Sequence, residues 1–346
     1  MSIRCNPLAA LLAVGLVLAS CTTSKAVKQE KRELIRDLQP EDFAAQVDNY
    51  RDEVESDLDE LTRTALARLE KDWEIFQSGG APFVHDVLIL SGGGAKGAFG
   101  AGFLRGWGEV KDSATARPEF DVVTGVSTGA LIAPFAFVGS DEAYVKVADF
   151  YADPQENWIK KRGEIVFLPS HLSLFNNLGL QSYIRQQVDG QIVESIAYEA
   201  EDSRLLLIGV TNADIGIGRV FDLGREATEA RANGDLDRVH SILLASSAIP
   251  GVFPPIEIDG FYYVDGGVAS QIVSILPLEF THGPLREWQE SHPDRPLPRL
   301  RVWIVINEKL RLSPTLMHPR WSPLFKRSLE IMMRSSMLSS LRVIQQ

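Results

Sequence analysis

The chain has 346 residues, 45% of them hydrophobic, enough to bury one large α/β core with length left for an appendage at an end. Its 46 acidic residues outnumber 35 basic ones, for a net charge of -11, which argues against a basic track for nucleic-acid phosphates and against recruitment to an anionic membrane by charge alone. No nucleic-acid partner is expected, and contact with lipid would need a covalent or apolar device.

Residues 1–21 read as an export signal, with Arg4, an apolar stretch from Leu8 to Leu18, and the small-residue ending Leu18-Ala19-Ser20-Cys21. The apolar stretch is about half of the roughly 20 residues a bilayer-spanning helix needs, so a retained transmembrane segment is the weaker reading. Leu-Ala-Ser-Cys resembles the lipobox of bacterial lipoproteins. That resemblance implies a signal peptide over residues 1–20, lipidation of Cys21 and a membrane anchor in the cell envelope. Thr22, where the family's inner-membrane retention signal would place Asp, implies the outer membrane. The alternative is an ordinary secreted protein cut near Ala19. Cys5 lies in the removed segment, so the mature chain is expected to hold no disulfide.

From Thr22 to about Glu41 the chain is polar and reads as a tether. Val47, Tyr50, Val54, Leu58, Leu61, Ala65, Leu69, Trp73 and Phe76 then recur at three- and four-residue steps, predicting a long amphipathic helix that docks on the main domain. Its acidic opposite face suits solvent. Tether and helix together occupy residues 21–80, ended by Ser78-Gly79-Gly80-Ala81-Pro82. Val84–Leu90 is an apolar run suited to a buried strand and opens the main domain, expected over residues 84–280, with residues 281–346 as an extension completing it. Further strands are predicted at Phe120–Thr124, Arg204–Thr211, Arg219–Leu223 and Leu300–Ile306, with helical patterns between several of them. The alternation predicts a three-layer α/β/α architecture around a mostly parallel sheet.

Directly after the first strand stands Ser91-Gly92-Gly93-Gly94-Ala95-Lys96-Gly97, followed by a helical pattern with Phe99, Phe103, Trp107 and Val110 on one face. A glycine-rich strand-to-helix turn exposes successive backbone N–H groups and binds negative charge, either a phosphate or a transient oxyanion. A Walker loop fails here because Lys96 precedes Gly97 where Ser or Thr should follow the lysine. Gly92, Gly94 and Gly97 match the dinucleotide fingerprint, but no clear second strand ending in an acidic residue follows at the expected interval. The oxyanion reading depends on a nucleophile.

Gly125-Val126-Ser127-Thr128-Gly129 supplies one, between a strand and the apolar pattern Ala130–Val138. Glycines two residues either side of a serine relieve crowding in the strained turn of a nucleophile elbow. Of two nearby Asp-Gly pairs, Asp259-Gly260 is explained as a hairpin turn inside Ile256–Val264. Asp265-Gly266-Gly267 is not; it ends the second hairpin strand, where a carboxylate could face a cleft.

Taken together, G-x-G-x-x-G at Gly92–Gly97, G-x-S-x-G at Gly125–Gly129 and D-G-G at Asp265–Gly267 resemble the patatin-like phospholipase family, over roughly Val84 to Phe280. The segment Ala245–Pro255 also looks like the family's stretch before the aspartate. The resemblance implies a lipid acyl hydrolase with Ser127 as nucleophile and Asp265 as proton acceptor. It places the oxyanion hole on the loop of Gly92, Gly93, Gly94, Lys96 and Gly97, supported by Gly125, Gly129, Gly266 and Gly267, and calls for no cofactor and no histidine. The substrate it implies is a phospholipid or other lipid ester. Lys96 stands where the family commonly has arginine, keeping the charge without the planar fork.

An ordinary aspartate, with a pKa of about 3.9, is a feeble base at neutral pH, so an apolar cleft around Phe253, Phe261 and Tyr262 is expected to raise that of Asp265. The rival reading is a Ser-Asp-His hydrolase using His282 or His292, both in a polar, Pro-rich stretch. His85, His171, His240 and His318 have no Cys, Asp or Glu at metal-ligand spacing, so no metal site is predicted. An acyltransferase with the same acyl-enzyme, or a non-catalytic lipid-binding lipoprotein, are the functional alternatives. Trp158, Ile165, Phe167, Leu168, Leu172, Leu174, Phe175 and Leu178 are read as core packing rather than a lid, and Leu329–Gln346 as an amphipathic C-terminal helix.

Overall fold

The computed structural model describes residues 40–112, 115–152, 160–161, 173, 175–176, 178–273 and 283–344. The predicted export signal, Cys21, the tether to residue 39, His171, His282 and all of the Trp158–Leu178 cluster except Phe175 and Leu178 lie outside these residues. The chain divides into two compact units, a small one of which Pro40–Tyr50 is described, and a large one comprising Arg51–Val166 and Leu172–Gln346. In the small unit, residues 41–50 are helical, with Glu41 and Asp42 in the first turn complementing the positive end of the helix dipole.

The large unit opens with the remainder of helix α1 (Pro40–Gln77). Leu61 and Ala65 pack into the main core, and Leu69 joins Phe83 and Trp288 in a second cluster. The acidic face is not left to water as predicted. Asp57 accepts from Arg219 at 2.6 Å and from Arg225 at 2.6 Å, with Glu53 and Glu60 as further partners, because these arginines stand on the adjoining layer.

Strand β1 (Val84–Leu90) is the buried run predicted, and a one-turn 3-10 segment (Gly94–Lys96) leads to α2 (Gly97–Trp107). Helix α2 turns Gly97, Gly100, Ala101 and Leu104 inward. Its aromatic face is largely outward: Phe99 and Phe103 are exposed, while Trp107 meets Trp303 in a tilted contact with centroids 4.9 Å apart. Next come β2 (Val122–Val126), two residues later than predicted, α3 (Thr128–Val138) and α4 (Asp141–Ala152). The short strands β3 (Lys160–Lys161) and β4 (Phe175–Asn176) form a separate ribbon, followed by α5 (Leu178–Gln187) and α6 (Gly190–Ala200). Strands β5 (Leu205–Asn212) and β6 (Ile217–Asp222) precede α7 (Leu223–Asn233) and α8 (Asp237–Ser246). A hairpin of β7 (Ile256–Ile258) and β8 (Phe261–Asp265) follows, turning at Asp259 and Gly260 with φ of 52° and 77°, both left-handed as a two-residue turn requires. The described chain ends with α9 (Pro284–Ser291), β9 (Arg299–Val305) and α10 (Trp321–Ile344).

The sheet runs β7-β8-β5-β2-β1-β9, with β6 pairing β5. Its centre, β5-β2-β1-β9, is parallel; the β5-β6, β5-β8 and β7-β8 pairs are antiparallel. Because side chains alternate along a strand, Val87, Ile89, Val122, Leu205 and Leu207 face one layer, where Ala65 of α1 and Met337 of α10 join them. Leu88, Leu90, Val123, Leu206 and Ile208 are equally buried on the other face, beneath α3 and its neighbours. This is the three-layer α/β/α fold, and no described helix is long and apolar enough to cross a membrane.

Candidate active site

Sheet register brings the two predicted catalytic residues together. Val126 pairs with Gly209 of β5, and Asp265 pairs with Val210, the next residue along the same strand. Ser127, directly after Val126, therefore stands beside Asp265 at the carboxyl ends of the parallel strands, where open α/β sheets place their sites. Ser127 and Asp265 are both buried, at 3% and 2% exposure.

Ser127 holds φ 54° and ψ -122°, a backbone conformation that costs an L-residue about 1–3 kcal/mol and persists only where its surroundings impose it. They do so through close approach. A Cβ at Gly129 would collide with the Leu90 carbonyl, and one at Gly125 would lie 2.6 Å from the Gly129 carbonyl oxygen. The Ser127 N–H donates to Ser246 Oγ at 2.9 Å, and that hydroxyl donates to the Gly209 carbonyl at 2.7 Å.

Asp265 ends β8 and caps a 3-10 turn (Gly266–Val268), its Oδ1 accepting the Gly267 N–H at 2.8 Å while its own N–H donates to Ala248 at 2.9 Å. Gly266 is required because a Cβ there would strike the Gly209 carbonyl. Oδ2 is buried and makes no hydrogen bond. Burial raises the Asp265 pKa from 3.8 to about 6, opposed first by the Ser127 hydroxyl and then by the Gly267 N–H. The serine thus lies near enough to act on the carboxylate but outside hydrogen-bond geometry, as apo catalytic pairs often do. A cavity of about 100 Å³ over Asp265 is lined by Ile249, Pro250, Val268, Leu329, Met332 and Met333. Phe253, Phe261 and Tyr262 do not line it, whereas Leu329, Met332 and Met333 of α10 do.

The glycine loop reaches the same point. Gly92 lies beside Ser127, where an added Cβ would be 3.4 Å from the serine Cβ, and its N–H donates to Gln271 at 3.4 Å. The N–H groups of Gly93 and Gly94 find no acceptor among the described residues. Asn307, just past β9, holds the loop: its N–H donates to Ser91 Oγ and its Nδ2 to the Ser91 carbonyl, both at 2.9 Å, while Oδ1 accepts the Gly100 N–H at 3.0 Å. Gly97 packs against Thr128, whose hydroxyl bonds Tyr151; burial pushes that phenol far above its usual range. Lys96 is turned aside to an ion pair with Glu308.

Histidine plays no part among the described residues. His292 binds Glu70 at 2.8 Å, and His240 meets the Val188 carbonyl at 2.7 Å, its pKa lowered by burial. Three polar residues escaped the sequence analysis as site supports: Ser246, Gln271 and Asn307. Asn307 carried a usable signal, a polar side chain immediately after a parallel strand.

A family model described as Patatin-like phospholipase matches residues 88–276. No curated protein matches the chain. Among solved structures, the crystal structure of VipD from Legionella pneumophila is similar at a TM-score of 0.36 and 16% identity, covering 72% of this chain and 53% of that one. This chain thus corresponds to about half the length of VipD.

Proposed function

The chain belongs to the patatin-like phospholipase family, and from that premise we propose that it is a serine acyl hydrolase of lipid esters, working through Ser127 and Asp265. The observation that carries this reading is the apposition of a strained, buried serine with a carboxylate whose Oδ2 has no other partner.

In the first half-reaction Ser127 Oγ attacks the ester carbonyl as its proton passes to Asp265 Oδ2. The carbonyl oxygen becomes an oxyanion, received by the N–H groups of Gly93 and Gly94. Each donor of this kind is worth roughly 10²–10³ in rate. The ester C–O bond then breaks, the leaving alcohol takes the proton from Asp265, and an acyl-Ser127 remains. In the second half a water attacks the acyl carbon, giving its proton to Asp265, and the serine leaves with that proton as fatty acid is released. A base raised to about 6 suits this task better than an ordinary carboxylate, being still ionised at neutral pH yet more basic. Transfer of the acyl group to an alcohol in place of water uses the same intermediate.

The sequence of residues 1–21 supports the placement of this activity on a membrane, through a lipid on Cys21 in the bacterial outer membrane. Release of fatty acid from phospholipid vesicles and of p-nitrophenol from a short ester, measured beside Ser127→Ala and Asp265→Asn, tests the proposal. Turnover lost in both variants supports it; a folded wild type inert on both substrates, or near-normal turnover by Asp265→Asn, refutes it.

A further inference from the structure

At the end of the sheet remote from Ser127, three side chains with metal-ligating atoms converge. Asp72 comes from α1, His85 from the start of β1, and Asp121 from the residue before β2. All three are about nine-tenths buried: His85 is 9% exposed, Asp72 10% and Asp121 7%. We propose that Asp72, His85 and Asp121 form a binding site for a divalent transition cation of the zinc type, clamping α1 to the amino-terminal ends of β1 and β2.

The distances fit a bridging cation and not direct hydrogen bonds. His85 Nδ1 lies 3.5 Å from Asp72 Oδ2 and 3.6 Å from Asp121 Oδ2. Both are too long for an N–H···O bond, which reaches about 3.2 Å at most. They do match the edge of a tetrahedron whose centre sits about 2.1 Å from each ligand, an edge of about 3.4 Å. The three ligand atoms all fall within 4.8 Å of one another.

The surroundings orient the same atoms. Arg68 takes the other oxygen of each carboxylate, binding Asp121 Oδ1 at 2.7 Å through Nη2 and Asp72 Oδ1 at 3.2 Å through Nε. The Oδ2 atoms are thereby turned toward the imidazole, as outer groups orient the ligands of metal sites. Asp121 Oδ2 also accepts the Asp86 N–H at 2.6 Å. Asp72 Oδ2 and His85 Nδ1 are buried with no hydrogen bond at all, a costly state for two polar atoms facing each other unless something lies between them. One imidazole nitrogen with two carboxylate oxygens suits zinc or a neighbouring transition ion better than magnesium or calcium, which prefer oxygen alone. Water would complete the shell.

The chain offered no such signal in sequence, because Asp72 and Asp121 lie far from His85 along it. The test uses the full chain, stripped with a chelator and titrated with Co2+ and then Zn2+. Expected are the visible ligand-field bands of one tetrahedral Co2+ per chain, their loss on adding Zn2+, and a higher Tm with either ion. Asp72→Asn and His85→Ala should each weaken binding at least about tenfold, and ester turnover should survive stripping. If His85→Ala fails to fold, Asp72→Asn, a near-isosteric change on a helix, carries the test. A folded wild type that binds neither ion, or binding that persists in the variants, overturns the site.

Discussion

Ser127 is suspended by its backbone from Ser246, whose hydroxyl accepts the Ser127 N–H at 2.9 Å and passes a hydrogen bond to the Gly209 carbonyl at 2.7 Å. Ser246 is fully buried, so no water replaces its hydroxyl readily. Ser246→Ala would strand the Ser127 N–H and the Gly209 carbonyl, each such loss costing about 1–3 kcal/mol. We expect kcat to fall about 10- to 100-fold with KM little changed, because the change misaims the nucleophile without touching the acyl site. An unchanged kcat in steady-state kinetics would remove Ser246 from its positioning role.

The base sets the acid limb of the pH profile. Asp265 must be ionised to accept the serine proton, so kcat/KM should fall about tenfold per unit below an apparent pKa of about 6 and level off above it. A limb near 4 would show that burial does not tune this carboxylate.

Burial of Asp265 also carries a stability cost, with a definite sign. Its folded pKa of about 6 exceeds its ordinary 3.8, so the folded state holds the proton more tightly than the unfolded one. Relative to ordinary titration, the protonated group favours folding below about pH 4, and that contribution is lost as pH rises through about 6. Two units at 1.36 kcal/mol each give about 3 kcal/mol at most. Asp265→Asn, inactive but neutral, should therefore be more stable than wild type at pH 8, with the gain shrinking toward pH 4. Denaturant midpoints at the two pH values decide it; equal gains at both would contradict the linkage.

Helix α10 walls the cavity over Asp265 with Leu329, Met332 and Met333, and its volume is about 100 Å³. Drug-sized ligand pockets run from roughly 300 Å³ upward, so this space admits only the first carbons of an acyl chain. Leu329→Ala with Met333→Ala should raise the ratio of long-chain to short-chain ester turnover by about tenfold. An unchanged ratio would place the acyl chain elsewhere.

Local chemistry explains which of these features were legible from residues alone. The apolar run Val87–Leu90 of β1, the φ-positive turn at Asp259 and Gly260, and the spacing of α1 are decided within a few neighbours. The elbow was legible because steric need for glycine beside Ser127 leaves a mark in the chain itself. What covers Asp265, by contrast, is decided by where α10 docks, a contact between residues 60 or more positions apart that no period encodes. The ion pairs of Asp57 with Arg219 and Arg225 escaped for the same reason: an acidic helix face looks alike whether water or arginine meets it.

Strand β1 obtains its two neighbours at very different distances along the chain. One, β2, follows soon after, but the other, β9, pairs with it over Val84–Leu90 only once residues 299–305 exist. During synthesis this buried strand's second edge therefore stands open for some two hundred residues of growth. An edge of that kind is an invitation to self-association. A nascent chain of this protein thus carries that hazard until residues 299–305 arrive and cover the edge.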